Sequence, residues 1–159
     1  MADSGFDTSA WADLASFDVP ILHPGRTLLE KLLRVNNFAA SPDAAASPHG
    51  WPRIGRQLYD IYALLLEPTV RELLADKPLV ADVLTSARDV SAAFGRPDLP
   101  TPVGGFAASP AFDPVSPFAN RLRAEHDAAM RDLYYGTDAP PPFGDVLDQI
   151  RADAALLEP

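Results

Sequence analysis

Lys31, Arg34, Arg56 and Asp60 are the residues whose types and spacing suit chemistry on a charged substrate. Lys31 and Arg34 stand three apart in the leucine-rich stretch TLLEKLLR, so on a helix they are neighbours. A lysine beside such a face usually lays its stem over the apolar side chains and leaves its ammonium in water. With an arginine next to it, the same geometry suits a phosphate. Arg56 and Asp60 are four apart and would also be neighbours on a helix. The plain reading of that pair is a surface ion pair worth roughly 0.3–0.5 kcal/mol. Its order, base before acid, is the less favourable one for helix stabilisation, which leaves room for a second role.

The other chemistry-bearing types are sparse. The three histidines, His23, His49 and His126, lie far apart and form none of the short spacings of metal ligands. His23 precedes Pro24 at a helix entry and suits a cap. The chain has no cysteine, which excludes disulfides and thiolate metal sites. GxSxG, GxGxxG, Walker A and HExxH motifs are all missing. The pair Gly104-Gly105 has neither a following base nor a following helix, so it does not read as a phosphate loop.

Helices must position these residues. Residues 1–18 read as a flexible lead with Trp11 and Phe17 as anchors. Val19-Pro20-Ile21-Leu22 reads as a short extended segment that Pro20 confines to an edge. A first helix carries Leu28, Leu29, Leu32, Leu33 and Val35 on a broad apolar face and ends near Phe38. It begins either at the capping-box pattern Thr27-Leu28-Leu29-Glu30 or at Pro24 in the first turn. Residues 39–50 read as a loop with two Ser-Pro steps. A second helix runs from about Pro52 to Glu67, with Ile54, Leu58, Ile61 and Leu65 on one face and Arg53, Arg56 and Asp60 on another. Pro68 either ends it or kinks it. Asp76-Lys77-Pro78 opens a third helix with Leu79, Val83, Val90 and Phe94 at core spacing. Residues 95–115, with five prolines and three glycines, read as a surface loop. Ser116-Pro117 restarts helix, which runs through Leu122, Met130 and Leu133 to Gly136. Phe143, Val146, Leu147, Ile150 and Leu157 mark a last amphipathic helix. The fold class is therefore mainly α, about five helices with one short extended segment, in one domain over 19–159.

Composition bounds the setting. The 159 residues are 47% hydrophobic and 22% charged, which is a globular balance. No apolar run approaches the roughly 20 residues of a membrane span. The acidic N-terminus has no basic region followed by an apolar stretch, so it is not a signal peptide, and the expected location is cytoplasmic. The net charge of −9 is the wrong sign for a free-standing nucleic-acid binder. Lys31, Arg34, Arg53 and Arg56 nevertheless make the stretch 26–56 locally basic, while the tail from 138 is acidic.

Taken together, Leu28-Leu29-Glu30-Lys31-Leu32 followed by Arg53-Ile54-Gly55-Arg56-Gln57-Leu58-Tyr59-Asp60-Ile61-Tyr62 resembles the nucleotidyltransferase toxins of the AbiEii/AbiGii abortive-infection group. Those proteins carry an "EKL" lysine on one helix and an "R-x-x-YDL"-like motif on the next. Arg131-Asp132-Leu133-Tyr134-Tyr135-Gly136 and Phe143-Gly144-Asp145-Val146-Leu147 extend the resemblance over about 19–152. It implies the C-terminal, helical half of a DNA-polymerase-β-like nucleotidyltransferase. By that resemblance Lys31 would contact triphosphate oxygens and Asp60 would complete the polar floor of the cleft, both as catalytic residues. Arg56 would orient Asp60 or touch phosphate and Arg34 would bind phosphate, with Tyr59 a packing or base-facing neighbour. The resemblance also implies Mg²⁺ and a nucleoside triphosphate, an RNA or protein acceptor, and a cognate antitoxin gene.

The family's Gly-Ser loop and Asp-x-Asp pair do not precede Lys31 here; Ser4-Gly5 and Asp18 are poor substitutes. The chain is thus expected to lack a metal site of its own and to be inactive alone. A nucleotidyltransferase half supplied in trans would complete it, and apolar surface left uncovered at Val19 or Ile21 would favour self-association. The alternative is a non-catalytic helical interaction module.

Overall fold

The computed structural model describes residues 18–19, 21–41 and 51–159, without the side chain of Pro52. The lead with Trp11 and Phe17, Ser4-Gly5, Pro20, His49 and most of the Ser-Pro loop lie outside the described residues.

The described chain is mainly α, with six helices and no strand: α1 (Pro24–Ala40), α2 (Trp51–Leu66), α3 (Pro68–Ala75), α4 (Lys77–Ala93), α5 (Ala119–Leu133) and α6 (Phe143–Ala152). None of them is long and apolar enough to cross a membrane. Three of the starts have a clear local cause. Pro24 opens α1, and Nδ1 of the preceding His23 accepts the Gly25 N–H at 3.0 Å. This is the earlier of the two expected starts, and Glu30 pairs with Arg26 at 2.9 Å instead of closing a capping box. The Asp76 carboxylate accepts the Leu79 N–H at 3.1 Å and caps α4. Pro68 separates α2 from α3 because its missing N–H suits only a first turn. That break raises the helix count above the expected five.

α2 is the hub, packed against α1, α3, α5 and α6. Its face of Ile54, Leu58, Ile61 and Leu65 is buried, as the spacing required. Leu28, Leu29, Leu32, Leu33 and Val35 meet it from α1, Leu122 from α5, and Val146 and Ile150 from α6. Gly55 allows the closest approach: a Cβ there would stand 2.3 Å from the Glu125 carbonyl oxygen on α5.

Four expectations need correction. The segment Val19–Leu22 pairs with nothing as a strand among the described residues, and Val19, Ile21 and Leu22 are exposed. α4 is turned: Val80, Leu84 and Ala87 are buried and Leu79, Val90 and Phe94 are exposed, while Val83 of the expected set is half-buried and packs against the core. Residues 95–115 are not only surface. Two 3₁₀ turns, Phe106–Ala108 and Pro110–Phe112, bury Phe106 and Phe112 in the core. α5 begins at Ala119 and ends at Leu133, short of Gly136, because Tyr134 takes an extended conformation at its C-cap.

The glycine pair in the 95–115 segment has a structural task. Gly104 and Gly105 have φ of 88° and 81°, a region costly for side chains. A Cβ on Gly105 would lie 2.7 Å from the Leu157 carbonyl oxygen, the same oxygen that accepts the Phe106 N–H at 3.0 Å. The end of the chain is held there too. The Lys77 ammonium donates to the carbonyls of Ala155 and Leu156 at 3.0 and 3.1 Å. Buried Asp153 accepts from Arg71 at 2.7 Å and from Gln149 at 2.6 Å.

Candidate functional site

α1 and α2 run beside each other, and their facing polar residues meet at Lys31. Its ammonium donates to Asp60 Oδ2 at 2.7 Å and to Gln57 Oε1 at 2.8 Å. The Lys31 side chain is 20% exposed and that of Asp60 38%. Leu32 and Leu33 on one helix and Leu58 and Ile61 on the other are buried, so core packing fixes the two backbones that carry the pair. An ammonium has three donors; two are engaged here, and Lys31 also lines an open groove.

That groove, of about 930 Å³, lies between α1, the start of α2 and the end of α4. Lys31 and Arg34 reach it from α1, Arg53 and Gln57 from α2, and Val90, Phe94, Arg96 and Asp98 from α4 and the residues after it. Four cationic side chains thus face two carboxylates, Glu30 and Asp98, in a chain whose formal charge is −9. Glu30 is paired with Arg26, and Asp98 accepts from the Asn37 amide at 2.5 Å through Oδ1 while its Oδ2 is buried without a hydrogen-bond partner among the described residues. Among the described residues Arg34, Arg53 and Arg96 form no ion pair. The local field therefore favours an anion.

Of the residues singled out in the sequence, Lys31, Asp60 and Arg34 converge on this region, although Asp60 does not itself line the groove. It touches the site through Lys31. Arg56 is exposed, lies outside the groove lining, and forms no ion pair with Asp60 among the described residues. The physical reason is that Asp60 sits on the seam between α1 and α2, where Lys31 reaches it. Turning to Arg56 would exchange that contact for a solvated i,i+4 pair. Tyr59 packs edge-on against Tyr134 at 5.6 Å between ring centroids.

Sequence reasoning missed Gln57, Arg96 and the Asn36-Asn37 pair. Asn37 Oδ1 accepts the Leu99 N–H at 2.8 Å, and the Asn36 amide lies 3.4 Å from the Pro100 carbonyl. Together they tie the segment after α4 to α1. Gln57 was legible in principle, since it stands one turn before Asp60 on the same face; Arg96 was not, because only the fold brings it to the groove.

A divalent cation does not fit this donor set. No group of three His, Cys, Asp or Glu comes together among the described residues. The carboxylate that Lys31 contacts, Asp60, already has an ammonium on Oδ2, and Mg²⁺ sheds its waters only to carboxylates and phosphates acting together. The two described histidines supply no alternative. His23 caps α1, and His126 is buried with Nε2 at 2.9 Å from the Pro141 carbonyl oxygen.

Neither the curated proteins nor the solved structures offer a match to this chain. A family model described as nucleotidyl transferase AbiEii toxin, type IV toxin–antitoxin system, matches residues 6–149. That span holds α1, α2 and the whole groove, and on it the chain belongs to the AbiEii nucleotidyl transferase toxin family.

Proposed function

We propose that this chain is the helical, phosphate-contacting portion of an AbiEii-type toxin that moves a nucleotide from a nucleoside triphosphate to an RNA or protein acceptor. The observation that carries the reading is Lys31, held by Asp60 and Gln57 at the edge of a groove lined by three arginines that form no ion pair among the described residues. In this role the third N–H of Lys31 donates to a triphosphate oxygen, as charge-assisted hydrogen bonds to phosphate favour. Arg34, with Arg53 and Arg96, spreads the positive charge along the remaining phosphates. Arg56, exposed one turn before Asp60, is a peripheral cation. Asp60 acts through Lys31 and positions it.

The chain is inactive alone in this account. Phosphoryl transfer depends on metal-held positioning of the triphosphate and on charge stabilisation in the transition state, and the donor set around Lys31 does not fit Mg²⁺. Metal-holding carboxylates come from a nucleotidyltransferase half acting in trans, in the cytoplasm, under the control of a cognate antitoxin. One observation favours a second reading, a helical interaction module: Val19, Ile21 and Leu22 are 62%, 87% and 66% exposed, a run of apolar side chains suited to a protein partner or to self-association.

The test incubates the chain with each labelled nucleoside triphosphate, Mg²⁺ or Mn²⁺, and total tRNA. No label transfer is expected from the chain alone. Transfer that Lys31→Ala and Asp60→Ala both abolish would overturn the claim of inactivity.

A further inference from the structure

We propose that Phe94 is the base platform of the groove: its ring stacks on the nucleobase of a nucleoside triphosphate whose phosphates meet Lys31, Arg34 and Arg53. The inference rests on the reading of the groove as a triphosphate site and adds to it the part that binds the nucleoside. Phe94 lines the same groove as those cations and is 80% exposed. Val90, one turn earlier and 49% exposed, extends the apolar wall. Inorganic phosphate has no apolar face, so an anion alone leaves this wall without a partner. A nucleotide has both parts, because every base presents a π-face that stacks on an aromatic ring whatever its hydrogen-bonding edge.

The ring is carried on a fixed piece of backbone. Phe94 is the C-cap of α4. Gly95 follows at φ 69°, with its N–H on the Ala92 carbonyl at 2.9 Å, while the Arg96 N–H closes on Ser91 at 3.0 Å. These two bonds make the helix end that a left-handed glycine permits. They hold the main chain of Phe94 and Arg96 together, so that ring and guanidinium are both presented to the groove. A site built on such an element holds its geometry better than one on an untethered loop. Being exposed, Phe94 contributes little to the core, and its replacement leaves the fold intact.

The experiment is calorimetric titration of the full chain with ATP and, separately, with inorganic tripolyphosphate in the same buffer. The unmodified chain is expected to bind ATP more tightly than tripolyphosphate. Phe94→Ala is expected to weaken ATP about tenfold while leaving tripolyphosphate unchanged, and Phe94→Trp to retain ATP. Equal affinity of the unmodified chain for the two ligands, or parallel loss of both in Phe94→Ala, overturns the platform and leaves the phosphate reading standing. Binding of neither ligand by the unmodified chain overturns both.

Discussion

The Lys31 ammonium and the Asp60 carboxylate, 29 positions apart in sequence, meet at 2.7 Å across the seam between α1 and α2. A partly exposed pair of this kind contributes about 0.2–1 kcal/mol. A double-mutant cycle on Lys31→Ala and Asp60→Ala, read by urea unfolding, is expected to give a coupling energy in that range. Coupling of several kcal/mol would mean that the pair exists for stability, and would remove the reason to look for a ligand.

Gly55 is where α2 and α5 touch backbone to backbone. Because an added Cβ would meet the Glu125 carbonyl at 2.3 Å, the helices must separate to admit it. Gly55→Ala should destabilise the fold by about 2–3 kcal/mol, although alanine is ordinarily the better helix former. An unchanged or raised unfolding midpoint would show that the two helices are not in that contact.

The acidic tail is held by one buried carboxylate. Asp153 takes a hydrogen bond from Arg71 and another from Gln149, and its own side chain is 5% exposed against 41% for Arg71. Asp153→Ala leaves an arginine that water can reach, so the cost is that of a charged hydrogen bond, about 1.5–3 kcal/mol. Hydrogen exchange should show early loss of protection in α6 and in the amide of Phe106, which bonds Leu157. A variant with unchanged exchange there would separate the tail from this network.

Phe106 tests the irregular segment. It is 1% exposed in a stretch of turns, and Phe106→Ala should cost about 3–5 kcal/mol. A loss below about 1 kcal/mol, the range of surface sites, would return 95–115 to the status of a covering loop.

These contrasts mark what the sequence carried. The core face of α2 was legible because Ile54, Leu58, Ile61 and Leu65 recur at helical spacing with polar residues between them. The caps at His23-Pro24 and Asp76 were legible because capping is local chemistry. α4 was misread because it holds two apolar stripes: Leu79, Val83, Val90 and Phe94, and Val80, Leu84 and Ala87. Periodicity cannot choose between them; contact with α1 and the core does. Phe106 and Phe112 lie in turns, where apolar residues have no period to betray burial. Around the candidate site, Lys31, Arg34 and Asp60 could be singled out because they sit on strongly patterned helices. Arg96 and Phe94 reach the same groove only through tertiary packing, whereas the spacing of Gln57 from Asp60 is local.

The central claim is that Lys31 holds a phosphate of the bound nucleotide, and the affinity of Lys31→Ala for ATP tests it most directly. Loss of one charge-assisted hydrogen bond, about 1.5–3 kcal/mol, corresponds to roughly 10–100-fold weaker binding. Calorimetry should show that loss while the unfolding midpoint moves little. ATP affinity that is the same in Lys31→Ala and in the unmodified chain would contradict the account.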